Sequence, residues 1–72
     1  MDGIKLIITL NKDGAKENLE LMITREQSIE IRRIMSENKE EEIIKFFKNI
    51  VDINGQKYNI DFNEVEGFEL SL

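Results

Sequence analysis

Hydrophobic residues alternate with polar ones over the first ten positions. Ile4, Leu6, Ile8 and Leu10 share one face, while Lys5, Ile7 and Thr9 share the other. A period of two with β-branched content predicts a strand. Residues Glu17 to Ile23 alternate again, with Leu19, Leu21 and Ile23 on one face and Asn18, Glu20 and Met22 on the other. Asn11-Lys12-Asp13-Gly14 joins the two runs, and Asp-Gly is a strong hairpin signal. A two-residue loop sets Ile8 opposite Leu19, Leu6 opposite Leu21 and Ile4 opposite Ile23. A four-residue loop sets Leu6 opposite Leu19 and Ile4 opposite Leu21. Both keep one apolar face, so the alternation leaves the register open.

The period then changes. Thr24-Arg25-Glu26-Gln27 has the form of a capping box, which opens a helix. Ile31, Ile34 and Met35 fall on one helical stripe, with Gln27 and Asn38 on the same side. Ile29 lies off that stripe, among Arg25, Glu26, Arg32 and Arg33. Continued at about 100° per residue, the helix would carry Ile43, Ile44, Phe47, Ile50 and Val51 on a stripe nearly opposite the first. The chain is therefore expected to break between Asn38 and Glu41.

The next stretch pairs well as a second hairpin about Asn54-Gly55, the dipeptide favoured in type I′ turns. One face then matches Val51 with Tyr58, Asn49 with Ile60 and Phe47 with Phe62. The other matches Asp52 with Lys57, Ile50 with Asn59 and Lys48 with Asp61. A turn at Asn63-Glu64 leads to a last strand with Phe68, Leu70 and Leu72 alternating with Glu69 and Ser71. Gly67 marks a candidate bulge. The expected fold is one α+β domain over residues 1–72, in the order ββαβββ. Its antiparallel sheet has four or five strands, with one helix packed on a face.

Composition narrows the chemistry. Of 72 residues none is His, Cys, Trp or Pro. Thiol nucleophiles, disulfides, Cys/His zinc sites and histidine acid–base catalysis are thereby excluded. Asp52, Asp61, Glu64 and Glu66 are the carboxylates nearest one another, but the expected hairpin gives Asp52 and Asp61 ordinary lysine partners, Lys57 and Lys48. Asp52-Ile53-Asn54-Gly55 and Asp61-Phe62-Asn63-Glu64 lack the twelve-residue spacing of a calcium loop. The four glycines are scattered, and none opens the predicted helix to cradle a phosphate. The expectation is a protein that is not an enzyme and uses no cofactor or metal.

Charge bears on partners. Ten basic against fifteen acidic residues give a net charge of −5, the wrong sign for a duplex binder. A nucleic-acid contact through Arg25, Arg32 and Arg33 is a minor reading, because Glu26 and Glu30 dilute that face. No apolar run approaches a membrane span. Met1-Asp2-Gly3-Ile4-Lys5 lacks the basic start of a secretory leader, so a cytoplasmic protein is expected. Twelve Ile, seven Asn and seven Lys beside one Ala and three Arg indicate AT-rich coding.

What remains is surface. Ile29, ringed by Arg25, Arg32 and Arg33, is a candidate protein-binding spot, because arginine is enriched at interface hot spots. Ile7, Met22 and Ile50, with Phe46 beside them, are expected on the sheet face away from the helix. There they would form a second apolar patch for a partner or a second copy. Edge strands offer a further route by strand addition.

The C-terminal third, Ile50-Val51-Asp52-Ile53-Asn54-Gly55-Gln56-Lys57-Tyr58-Asn59-Ile60 followed by Val65-Glu66-Gly67-Phe68-Glu69-Leu70, resembles small uncharacterised proteins of low-GC Gram-positive bacteria and their phages. The resemblance implies an accessory protein of a mobile element or of housekeeping, and brings no catalytic residues with it. The expected function is a protein-binding module, such as a phage-type modulator of a host protein. The alternative is a self-associating structural homodimer.

Overall fold

A computed structural model describes residues 3–71. Two long strands, β1 (Ile4–Lys12) and β2 (Ala15–Ile23), are followed by two helices, α1 (Arg25–Ser36) and α2 (Glu40–Lys48). A short pair of strands, β3 (Ile50–Val51) and β4 (Lys57–Tyr58), comes next. A 3-10 turn (Phe62–Glu64) then leads into β5 (Val65–Ser71). The strands form two antiparallel sheets, one ordered β2-β1-β5 and one made of β3 and β4. The α+β class is as expected. The expected single sheet of four or five strands with one helix is replaced by a three-stranded sheet, a two-stranded sheet and two helices.

The first hairpin takes the two-residue register, with Ile4 opposite Ile23, Leu6 opposite Leu21 and Ile8 opposite Leu19. Its turn carries Asp13 at φ 53° and Gly14 at φ 87°, positive values at both central residues as a type I′ turn requires. β5 closes the other side of β1 with Ile8 opposite Phe68 and Leu6 opposite Leu70. Thr9 faces Gly67 while Leu10 faces Val65, so Glu66 is the extra residue of a bulge.

The capping box forms as read. The Gln27 amide donates to Thr24 Oγ1 at 3.1 Å, and the Thr24 amide donates to Gln27 Oε1 at 2.8 Å. The expected break also occurs. α1 stops at Ser36, and Asn38 adopts φ 55°, a left-handed helix stop that Asn tolerates.

Phe47 and Lys48 correct the sequence reading, because they complete α2 rather than begin a strand. Glu40, Glu41 and Glu42 occupy its first turn, and Lys45 and Lys48 its last, the charge order that complements a helix dipole. Asn49 ends the helix, its side chain donating to the Lys45 carbonyl at 3.1 Å. The second hairpin is consequently shorter and shifted by one residue. Ile50 faces Tyr58 and Val51 faces Lys57. Its loop is not a type I′ turn, since Asn54 has no positive φ and Gly55 alone takes one, at 86°. The Gly55 amide donates to the Asp52 carbonyl at 3.0 Å, and the Asp52 amide to the Gln56 carbonyl at 2.9 Å. This closes a three-residue loop.

One core joins the layers. β1 gives it Ile4, Leu6, Ile8 and Leu10; β2 gives Leu21 and Ile23; α1 gives Ile31 and Ile34. Ile43 and Phe47 come from α2, with Ile50 and Ile60 from the segments that follow. Phe47 is fully buried and its ring lies 5.3 Å from Phe62 and 6.0 Å from Phe68. Phe47 and Phe62 thus meet, as the strand reading expected, but across a helix–turn contact. Among the described residues no buried polar side-chain atom lacks a partner. No helix there is long and apolar enough to cross a membrane.

Candidate interaction surface

Burial sorts the candidate residues. Ile50 is 2% exposed and belongs to the core. Its expected place on the outer sheet face is corrected, because α2 ends at Lys48 and turns the chain inward. Phe46 is likewise half-buried against the core and 5.7 Å from Phe47. The outer sheet face keeps only Ile7 and Met22 of the four. Ile7 sits between Glu20 on β2 and Glu69 on β5, and it is half-buried.

That face is otherwise a polar layer. Lys5 Nζ lies 3.6 Å from Glu20, and Lys16 Nζ lies 3.5 Å from Glu66. Asn11 donates to Glu66 at 2.8 Å, and Thr9 to Asn18 at 3.2 Å. The Asn11 hydrogen bond, with Lys16 behind it, holds the Glu66 carboxyl below its ordinary range. Met22 is partly covered at one end. The Ile53 amide donates to its carbonyl at 3.0 Å, and its Sδ-methyl end packs beside Gly3 and Ile53. Two separated apolar side chains in a hydrogen-bonded polar lattice do not make the continuous patch that the sequence suggested.

The outer face of α1 keeps its apolar residue in the open. Ile29 is 58% exposed, more than any other large hydrophobic residue among those described. Helical spacing places Arg25 four residues before it and Arg32 three after, on one flank. Among the described residues neither arginine has a carboxylate within ion-pair distance. Arg33, four residues after Ile29, is different. Its guanidinium lies 2.9 Å from Glu37 and 3.6 Å from Glu42 on α2. Lys39 joins the same two carboxylates at 3.4 and 3.5 Å. Arg33 therefore helps to join α1 to α2 across the Asn38 turn, where Arg25 and Arg32 have no such contact among the described residues. The sequence reading missed this because it had no second helix to supply Glu42.

Ile44 on α2 and Val51 on β3, which the sequence reading does not single out as surface candidates, are 41% and 40% exposed. Ile44 lies at the flank of the stripe that Ile43 and Phe47 bury, about 100° from Ile43 by helical phase, which leaves it partly exposed.

The Asp52 loop is the other concentration of polar groups. Asp52 Oδ1 accepts from the amides of Asn54 and Gln56 at 2.9 Å each, and Oδ2 accepts from the Tyr58 hydroxyl at 3.1 Å. The Gln56 amide does most to hold the Asp52 carboxyl below its ordinary value, with Asn54 and Tyr58 adding to it. Partial desolvation, followed by the neighbouring Asp52, raises the Tyr58 hydroxyl. Every acceptor site of Asp52 used here faces its own loop, so the arrangement holds backbone rather than a substrate. Among the described residues no three His, Cys, Asp or Glu side chains gather to hold a metal ion.

No family model, no curated protein and no solved structure matches the chain.

Proposed function

We propose that the protein is a non-enzymatic binding module that acts in the cytoplasm and engages another protein through the outer face of α1. The observation that carries this reading is Ile29, 58% exposed beside Arg25 and Arg32, which have no carboxylate within ion-pair distance among the described residues, on a chain of net charge −5. An apolar side chain with adjacent guanidinium groups suits a partner that presents a small apolar pocket rimmed by carboxylates. Burying Ile29 there supplies the apolar term, and Arg25 and Arg32 supply bidentate hydrogen bonds. The resemblance of the C-terminal third to small proteins of low-GC Gram-positive bacteria and their phages suits an accessory protein that modulates a host protein in this way. Nucleic acid is the poorer ligand. With Arg33 held by Glu37 and Glu42, two arginines remain to displace counterions from phosphates.

The test is affinity capture from the source cell with four immobilised proteins: the parent, Ile29→Asp, Arg32→Glu and Ile44→Asp. Ile44 is a matched control, an exposed isoleucine on the other helix. A protein retained by the parent and by Ile44→Asp, but lost with both α1 variants, supports the reading. Retention unchanged by Ile29→Asp and Arg32→Glu refutes it.

A further inference from the structure

β2 is an edge strand whose backbone direction follows from its hairpin. A two-residue loop makes Lys12 and Ala15 a hydrogen-bonded pair, and bonded pairs then alternate along the ladder. Lys16, Asn18, Glu20 and Met22 accordingly point their amides and carbonyls away from β1. The Met22 carbonyl confirms the direction, since it accepts from Ile53 outside the sheet. Among the described residues nothing occupies the outward backbone groups of Lys16, Asn18 and Glu20. The opposite edge, β5, is interrupted by the bulge at Glu66, a common protection of edges. β2 has no such interruption over its nine residues.

Lysine and glutamate on an edge ordinarily discourage pairing. On β2 their order is self-complementary: Lys16-Glu17-Asn18-Leu19-Glu20. We propose that two copies of the chain pair antiparallel through β2, about a two-fold axis at Asn18, to form one continuous six-stranded sheet. In that register Asn18 faces Asn18 of the second copy, and Lys16 faces its Glu20. All of these residues have outward backbone groups. Both charged residues lie on the outer face, where Glu20 already meets Lys5 and Lys16 already meets Glu66. Pairing joins these into a row of alternating sign, Lys5, Glu20, Lys16 and Glu66, that crosses from one copy to the next.

Neighbouring registers are less favourable. An axis at Glu17 sets Glu17 against itself, and an axis at Glu20 does the same to Glu20. An axis at Leu19 sets Lys16 against Met22, whose carbonyl is already taken by Ile53. With the axis at Asn18, regular pairing runs from Ala15 to Leu21 and stops short of that site. The residues of this pairing, Lys16, Asn18 and Glu20, are not those of the α1 face.

Sedimentation over about a hundredfold dilution range tests the assembly, because dimer mass depends on concentration. The parent is expected to pass from dimer to monomer. Lys16→Glu, which sets like charges opposite each other twice, is expected to weaken association about tenfold or more. Adding Glu20→Lys restores the opposite signs and is expected to recover it, with circular dichroism checking that each variant folds. The register has its own test. A bonded antiparallel pair has Cα atoms about 5.5 Å apart, within disulfide reach, and the protein has no cysteine of its own. Asn18→Cys is expected to cross-link on mild oxidation and Glu17→Cys is not. A parent that stays monomeric, a double variant no better than Lys16→Glu, or cross-linking at 17 in place of 18 overturns the proposal.

Discussion

Gln27 ties the start of α1 to β3 through one side chain: its Nε2 donates to the Val51 carbonyl at 2.6 Å while its Oε1 accepts from the Thr24 amide at 2.8 Å. The cap and the second hairpin are thereby coupled. Gln27→Glu keeps the acceptor for Thr24 and removes the donor for Val51. It is expected to cost about 1 kcal/mol, the net worth of one such bond. Gln27→Ala loses both bonds and is expected to cost about 2 kcal/mol. Urea denaturation of the three proteins checks the order. A Gln27→Glu variant as stable as the parent would mean that the Val51 bond contributes nothing.

The glycines separate backbone strain from simple occupancy. Gly14 and Gly55 sit at φ 87° and 86°, with open space where a Cβ would go. Alanine at either position is strained by conformation alone, at about 1–2 kcal/mol, or several degrees of melting temperature in a domain of this size. Gly67 also has open space but no positive φ. Gly67→Ala should match the parent or gain a few tenths of a kcal/mol by restricting the unfolded chain, roughly the lower end of such effects. Three thermal melts decide it. Asn54→Asp, which alters the turn without changing Gly55, should melt with the parent.

Phe47 connects α2 to the sheet through Phe62 and Phe68. Phe47→Ala removes a fully buried ring and is expected to cost about 3–5 kcal/mol. A domain this small holds only about 4–10 kcal/mol in all. The variant should therefore show a collapsed urea midpoint or be unfolded in buffer. Ile44→Ala, on the exposed side of the same helix, should leave the midpoint unchanged within about 0.5 kcal/mol.

Acid and alkaline limits have different residues behind them. The folded state holds Asp52 below its ordinary value of 3.8, chiefly through the Gln56 amide, and Glu66 below 4.5, chiefly through Asn11. A depressed carboxyl contributes stability that is present above its ordinary value and is lost as pH falls through the folded-state value. Stability should therefore decline below about pH 4, and Asp52→Asn with Glu66→Gln should flatten that decline. Tyr58 has the opposite sign. Desolvation raises it above 10.0, so its contribution is present below that value and is lost as pH rises past the folded-state one. Tyr58→Phe should remove the alkaline part. Denaturation midpoints across the pH range of both sets check the two signs.

The legible parts of the sequence were those where two signals agreed. Alternation and Asp13-Gly14 together specify the first hairpin, and the capping box with the Ile31/Ile34/Met35 stripe specifies α1. The phase mismatch places the break between Asn38 and Glu41, and Asn38 takes the left-handed conformation there. Residues 47–51 misled because Phe47 and Ile50 satisfy a helical period with Ile43 and Phe46 and a cross-strand match with Phe62 and Asn59 at once. The acidic start and basic end of Glu40–Lys48 were the signal that favours a helix. Asn54-Gly55 misled in a subtler way, since a glycine with positive φ serves a three-residue loop as well as a type I′ turn. At the candidate site, the exposure of Ile29 was visible from helical phase alone. The engagement of Arg33 and the burial of Ile50 were not, because both depend on α2.

The most direct measurement of the α1 reading is site-specific photo-cross-linking in the source cell, with the reactive side chain at position 29 in one protein and at position 44 in another. Both positions are exposed isoleucines in the parent, 58% and 41% accessible. The account predicts a discrete protein adduct from position 29 that disappears when Arg25 and Arg32 are changed to Glu, and no such adduct from position 44. The same adducts from both positions, or an adduct at 29 that persists without the two arginines, would contradict it.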